Sequence, residues 1–404
     1  MAMVKPFAAV RPQPELASQI CELPYDVMSS DEARALAAGN SLSFLHISKP
    51  EIDLPPETDV HAPEVYAKGR ENFQKLIRDR ALQPDERPCF YLYRQVMGSH
   101  VQTGLVAAAS CEEYQRGIIR KHELTRVDKE NDRVRHIETL NAQTSPVFLT
   151  YPAVRALDKF IEEKTANRPE MDFTARDGVR HVSWAIREPH DLRFIETHFT
   201  RVPHLYIADG HHRSAAAARV YQSRQGAGES GRFLAVIFPH NQMQVLPYNR
   251  VLKDLNSWTP EQLLEIFGKV FTINPGGAPA PGREHELGLY LPGKWHTLAF
   301  QPHVLGGHDT SKLLDVALLQ KHVLEPVFGI GDPRTSQRIH FVGGIRGTAE
   351  LEKLVDSAEF ACAFSMFPLG IKTLMAISDA GGVLPPKSTW FEPKLRDGMF
   401  CHLI

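Results

Sequence analysis

The chain has 404 residues, 43% of them hydrophobic and 23% charged, with a formal net charge of -2. That length accommodates two or three domains with cores of their own, and that composition excludes wholesale disorder. Near-neutrality argues against duplex DNA as a partner, which needs a marked cationic surface, and no stretch approaches the ~18 apolar residues of a membrane helix.

The first seven residues lack the apolar run of a secretory signal. Cys21, Cys89, Cys111, Cys362 and Cys401 are scattered, odd in number and free of any Cys-x-x-Cys pair. Reduced, mostly buried thiols in a cytoplasmic protein are expected, with no membrane and no nucleic acid as partner.

In chain order, Ser29 and Glu32 form a capping box for a short helix that Gly39 stops. A second helix is predicted over 63–80, with Val65, Phe73, Leu76 and Ile77 on one face. Runs 89–96 and 101–109 read as a β-hairpin around Met97-Gly98-Ser99-His100. Ser110 with Glu113 opens a short helix, and the charged stretch from Arg120 to Thr125 leads into a helix over about 128–142. A strand at 146–151, a helix at 154–164 and two strands joined by Arg176-Asp177-Gly178 follow.

The most regular unit is an apolar strand at 205–208, an alanine-rich helix at 214–221 and a buried strand at 233–238, a βαβ-like element whose pairing the sequence leaves open. Beyond it, Thr259-Pro260-Glu261-Gln262 starts a helix and 276–282 is a Gly/Ala/Pro-rich loop. Strands at 287–291, 296–300, 338–342 and 359–367 alternate with helices at 313–324 and 349–357. The expected organisation is α/β (α+β mixed), with a phosphate-binding region over 1–252 and a second α/β domain over 253–404. The tail at 385–394 is expected to return to the active site.

Three clusters carry chemistry. In Ala208-Asp209-Gly210-His211-His212-Arg213 a strand ends, Gly210 permits a sharp turn and a helix begins. The N–H groups and positive dipole end of that helix attract an anion, and Arg213 adds a planar fork suited to phosphate. Asp209 is placed to orient a histidine, hold Mg²⁺ or accept a proton; an Asp cap beside two partly exposed histidines is the plainer alternative. Adjacent histidines diverge along a helix, which disfavours zinc.

The second cluster, Arg120-Lys121-His122-Glu123-x-Thr125 with Asp132-Arg133, combines cations with an acid/base pair. It is not a zincin motif, because Arg126 stands where a second histidine is needed. The third, Pro385-Pro386-Lys387-Ser388-Thr389 through Lys394, offers phosphate-friendly donors on a proline-stiffened segment. Neither a Walker loop nor Gly-x-Gly-x-x-Gly is present, so neither nicotinamide nor flavin is expected as cofactor.

These motifs, with Pro24-Tyr25-Asp26-Val27 and Pro247-Tyr248-Asn249-Arg250, resemble in order the bacterial and archaeal domain-of-unknown-function family DUF1015. The Asp-Gly-His-His-Arg turn is also similar to the phosphate-binding turn of the ParB/sulfiredoxin-like superfamily, which includes free-serine kinases. Sulfiredoxins carry a catalytic cysteine where this chain has His211, and partition proteins add DNA-binding helices that this sequence lacks. The resemblance implies phosphoryl transfer from ATP, ADP or pyrophosphate, most specifically onto free L-serine. Glu123, Asp209, His211 and His212 would then be catalytic, and Gly210, Arg213, Arg120, Lys121, His122, Lys387, Ser388 and Thr389 would bind the donor. Thr125, Asn249 and Arg250 would bind substrate, and Asp209 would hold Mg²⁺. A nucleotide-binding switch without turnover and a metal-dependent hydrolase are the alternatives. The oligomeric state stays open, a homodimer included.

Overall fold

The computed structural model describes residues 1–306 and 310–404. It is a mixed α/β structure of two compact units, Met1–Met243 with Pro393–Ile404, and Gln244–Glu392. The expected division at 252/253 shifts because of strand pairing between remote segments. Gln244–Leu246 pairs with Trp390–Glu392, and Tyr248–Leu252 pairs with Ile339–Gly343 and Cys362–Met366, so all of these belong to the second unit. The last strand, Cys401–Leu403, pairs with Ala9–Pro12 and Ala142–Gln143 and belongs to the first.

The main sheet of the first unit runs in the order Ile119–Arg120, Leu205–Asp209, Val147–Tyr151, Arg232–Pro239, His100–Ser110, Phe90–Met97, Arg180–Ile186, Met171–Thr174. The expected hairpin is present as Phe90–Met97 against His100–Ser110. The βαβ-like element takes a different form. Val147–Tyr151 lies between its two strands, antiparallel to Leu205–Asp209 and parallel to Arg232–Pro239. The two strands therefore run in opposite directions, and their connection is not a parallel crossover.

Local sequence accounts for most of the helices. Ser29 accepts from the Glu32 N–H while Glu32 accepts from the Ser29 N–H, starting Ser30–Ala37. Proline in its first turn opens Pro63–Arg78, whose Val65, Tyr66, Phe73 and Leu76 are buried at helical spacing. Val127–Leu140 ends at Asn141, which takes a left-handed conformation. Helix Pro189–Phe199 lacks an assignment from the sequence; its Asp191 pairs with Lys164 at 2.5 Å. All five cysteines are buried and unpaired.

The second unit has an antiparallel sheet ordered Phe271–Pro275, Lys294–Phe300, Glu286–Leu291, Cys362–Met366, Tyr248–Leu252, Ile339–Gly343. Thr259 and Gln262 form the capping box of Pro260–Phe267. The helix expected at 313–324 is broken: a 3-10 turn, Thr310–Leu313, gives way at extended Leu314 to Asp315–Leu319 and then a π-turn, Gln320–Leu324. Among the described residues no helix is long and apolar enough to cross a membrane.

Candidate functional site

Strand Leu205–Asp209 is apolar and buried except at Asp209, and it passes directly into helix His211–Arg224. The junction is Gly210, whose φ of 98° L side chains rarely adopt. A Cβ there would also approach the Arg213 guanidinium to 3.2 Å. Gly210 caps the helix without a side-chain hydrogen bond. The first-turn N–H groups and the positive end of the helix thus define a place for negative charge. Ala215, Ala216, Ala217 and Ala218 are small enough for this helix to be buried closely against its neighbours.

The short strand Ile119–Arg120 pairs in parallel with Leu205 and Tyr206. The chain after Arg120 is thereby carried in the same direction as the chain after Tyr206, and residues 121–126 reach the helix N-terminus. The His122 N–H donates to His211 Nε2 at 3.5 Å, and the two rings meet edge to face at 4.4 Å. The Arg126 N–H donates to His212 Nε2 at 3.0 Å. With Nε2 accepting, the proton of His211 sits on Nδ1, which faces Glu123 Oε2 at 3.8 Å.

Burial governs these histidines. It pushes His122 down to about 4, lowers His211 well below the usual range with help from the His122 ring, and lowers His212 as well. Neutral imidazoles position groups through their single N–H and lone pair. As neutral rings they bring no positive charge to the site.

Positive charge comes from elsewhere. Lys394 Nζ lies 2.9 Å from Asp209 Oδ2, and the Lys394 carbonyl accepts from Gln95 Nε2 at 2.8 Å. Arg213 is only 6% exposed; its Nη1 donates to the Pro146 carbonyl, and Nη2 lies 3.4 Å from Asp26 and 3.5 Å from Asp209. Burial alone would raise the Asp209 carboxyl, but Lys394 and Arg213 outweigh it and hold the group well below the usual carboxylate range. Arg213 is kept protonated despite burial by Asp26 and Asp209. The phosphate fork expected of Arg213 is therefore turned inward, where it braces two carboxylates. Behind it, Arg133 stacks on the Tyr25 ring at 3.8 Å and pairs with Asp132 at 2.6 Å.

The other expected residues make contacts of their own. Arg120 reaches His204 Nε2 at 3.2 Å, Lys121 sits 4.0 Å over the Tyr114 ring, and Thr125 donates to Glu130. In the second unit, Asn249 Oδ1 accepts from the Met366 N–H, and Arg250 donates to the carbonyls of Tyr248 and Lys387. Lys387 lies over the Tyr248 ring, Ser388 donates to the Pro385 carbonyl, and Thr389 is half-buried. Asp209 does not fit the expected Mg²⁺ role, because both of its oxygens already face cations. Nor are His211 and His212 suited to the hydrolase alternative, since their Nε2 lone pairs are taken by backbone N–H groups.

Asp26, Arg133 and Lys394 belong to the site without having been assigned to it from sequence. Each lies in a motif already singled out, but their charges meet only through strand pairing and tail return.

No curated protein matches this chain. Among solved structures, SbnI with a C-terminal truncation, from Staphylococcus aureus, is similar at 10% identity and a TM-score of 0.39, over 72% of this chain and 85% of that one. A conserved hypothetical protein from Pyrococcus furiosus is 15% identical with a TM-score of 0.36, over 74% and 95% of the two chains. A free serine kinase in complex with AMP is 16% identical with a TM-score of 0.36, over 71% and 86%. A family model matches residues 4–317, and the chain belongs to that family, described as Protein of unknown function (DUF1015).

Proposed function

We propose that the protein is a small-molecule kinase that transfers a phosphoryl group to the hydroxyl of free L-serine. One observation carries the chemistry: two sequence clusters that are 89 residues apart at His122 and His211 meet at an anion-attracting helix N-terminus. That meeting puts a carboxylate with solvent access, Glu123, beside neutral His211. Serine as acceptor, and ATP, ADP or pyrophosphate as donor, follow from the motif resemblance.

In this reading the first-turn N–H groups of His211–Arg224 receive the donor phosphates, and Lys394 adds charge beside them. Glu123 takes the proton of the serine hydroxyl as Oγ bonds to phosphorus. The bond from that phosphorus to the bridging oxygen breaks, leaving ADP, AMP or phosphate according to the donor. His211 Nδ1–H orients Glu123, and Arg213 holds Asp209 and Asp26 in place. Catalysis by positioning and fixed electrostatics suits phosphoryl transfer, which needs little covalent help from the protein.

Incubation with L-serine, Mg²⁺ and each donor, with phosphoserine read by mass spectrometry, tests the proposal. Product is expected with one of the three, and none with any of them would overturn it. Glu123→Gln is expected to lower turnover by about 10²–10⁴-fold, with donor affinity kept. Unchanged turnover would remove Glu123 as the base.

A further inference from the structure

Asp397 is fully buried, and among the described residues its carboxyl oxygens have no donor at close hydrogen-bond geometry, the Ser145 hydroxyl reaching them only as a weak one. Its backbone is fixed, exchanging two hydrogen bonds with Glu22. An ionised carboxylate so poorly hydrogen-bonded in such a place is costly, whereas the protonated acid is tolerated. Around it stand Arg213 and Ser145, then Asp26 and Arg133. Cys21 and Cys401 also feel its charge, and Lys394 lies three residues earlier in the same segment. Arg396, its neighbour in sequence, is turned to His181 and Asp177.

The charges here balance without it. Arg213, Arg133 and Lys394 face Asp26, Asp132 and Asp209. An ionised Asp397 would be a fourth carboxylate, competing with Asp26 and Asp209 for Arg213. We propose that Asp397 is a positioning residue that carries a proton in the anion-binding form of the protein, and that its ionisation weakens anion binding by drawing Arg213 away from Asp26 and Asp209. Burial, the largest influence on this carboxyl, raises it to about 7, which puts the change near neutrality. The effect on anion binding rests on the kinase reading of the site; the proton on Asp397 does not.

Two measurements separate them. Without ligand, a group raised in the folded state contributes stability that is present below the ordinary carboxylate range and is lost as pH rises through its folded value. The melting temperature of Asp397→Asn relative to the native chain is therefore expected to climb as pH rises towards about 7 and to level off above it. A difference independent of pH overturns the proton on Asp397. If Asp397→Asn does not fold, Asp26→Asn serves: removing a like charge is expected to move the pH-dependent step to lower pH, and an unmoved step overturns the proposal.

With inorganic pyrophosphate as the probe, calorimetry in buffers of different ionisation enthalpy counts protons taken up on binding. The native chain is expected to take up more protons than Asp397→Asn near pH 7. It is also expected to lose on the order of tenfold more affinity than the variant as the pH is raised from 6 to 8.5. Equal uptake and equal loss overturn the link to anion binding. No pyrophosphate binding by the folded native chain overturns that link and removes pyrophosphate as donor, while the melting series still decides the proton.

Discussion

Two buried arginines, one in each unit, meet opposite electrostatic fates. Arg213 lies between Asp26 and Asp209, which keep it protonated despite burial. Arg250 is equally buried, but its Nη atoms donate to the carbonyls of Tyr248 and Lys387, with the Phe341 ring beside it; burial lowers it to about 10. One charge is matched by charge, the other only by dipoles. Removing a member of a buried ion pair strands its partners, whereas removing a lone buried cation also removes its own desolvation cost. Burial of a cation therefore does not by itself fix its charge state. The surrounding carboxylates are what distinguish Arg213.

The sharpest way to break this contrast is Arg213→Met. It is expected to cost about 3 kcal/mol of stability, read from denaturant unfolding, together with loss of phosphoserine formation. A cost below about 1 kcal/mol would mean that Asp26 and Asp209 do not depend on Arg213.

Lys394→Met tests the same carboxylates with a smaller effect, about 1–2 kcal/mol at neutral pH. Asp209 is lowered in the folded protein, so its contribution is present above the ordinary carboxylate value of 3.8 and is lost as pH falls through its lower folded value. Without Lys394 the folded value of Asp209 rises, so less stability is lost on acidification and the acid limb of the melting temperature should become shallower. An unchanged acid limb would contradict the pairing.

Smallest of the three, Arg250→Met should change stability by about 1 kcal/mol or less, since relief of desolvation offsets two stranded carbonyls. A loss as large as that for Arg213 would erase the distinction between the two residues.

The legibility of the molecule follows the range of the interactions involved. The two capping boxes, the hairpin at 90–110 and the glycine junction at 210 depend on residues within a few positions of one another. Their side chains and backbone preferences carry the information locally. The break at Leu314, the missing parallel crossover and the moved domain boundary depend on partners elsewhere in the chain, as strand pairing does. The site divides in the same way. Asp209, Gly210 and Glu123 announce themselves by residue type and spacing, whereas the inward turn of Arg213 and the neutrality of His122 and His211 come from burial, which no motif records.

The sequence by itself determined most of the elements, the mixed α/β class, the family and the two clusters that meet at the helix N-terminus. Tertiary structure alone decided which charges those clusters keep. It brought Lys394 onto Asp209 from 185 residues away, enclosed Arg213 between two acids and buried the Asp397 carboxyl near Arg213. The physical reason is that protonation and pairing depend on desolvation and on distance in space, and both are set only when remote segments pack together.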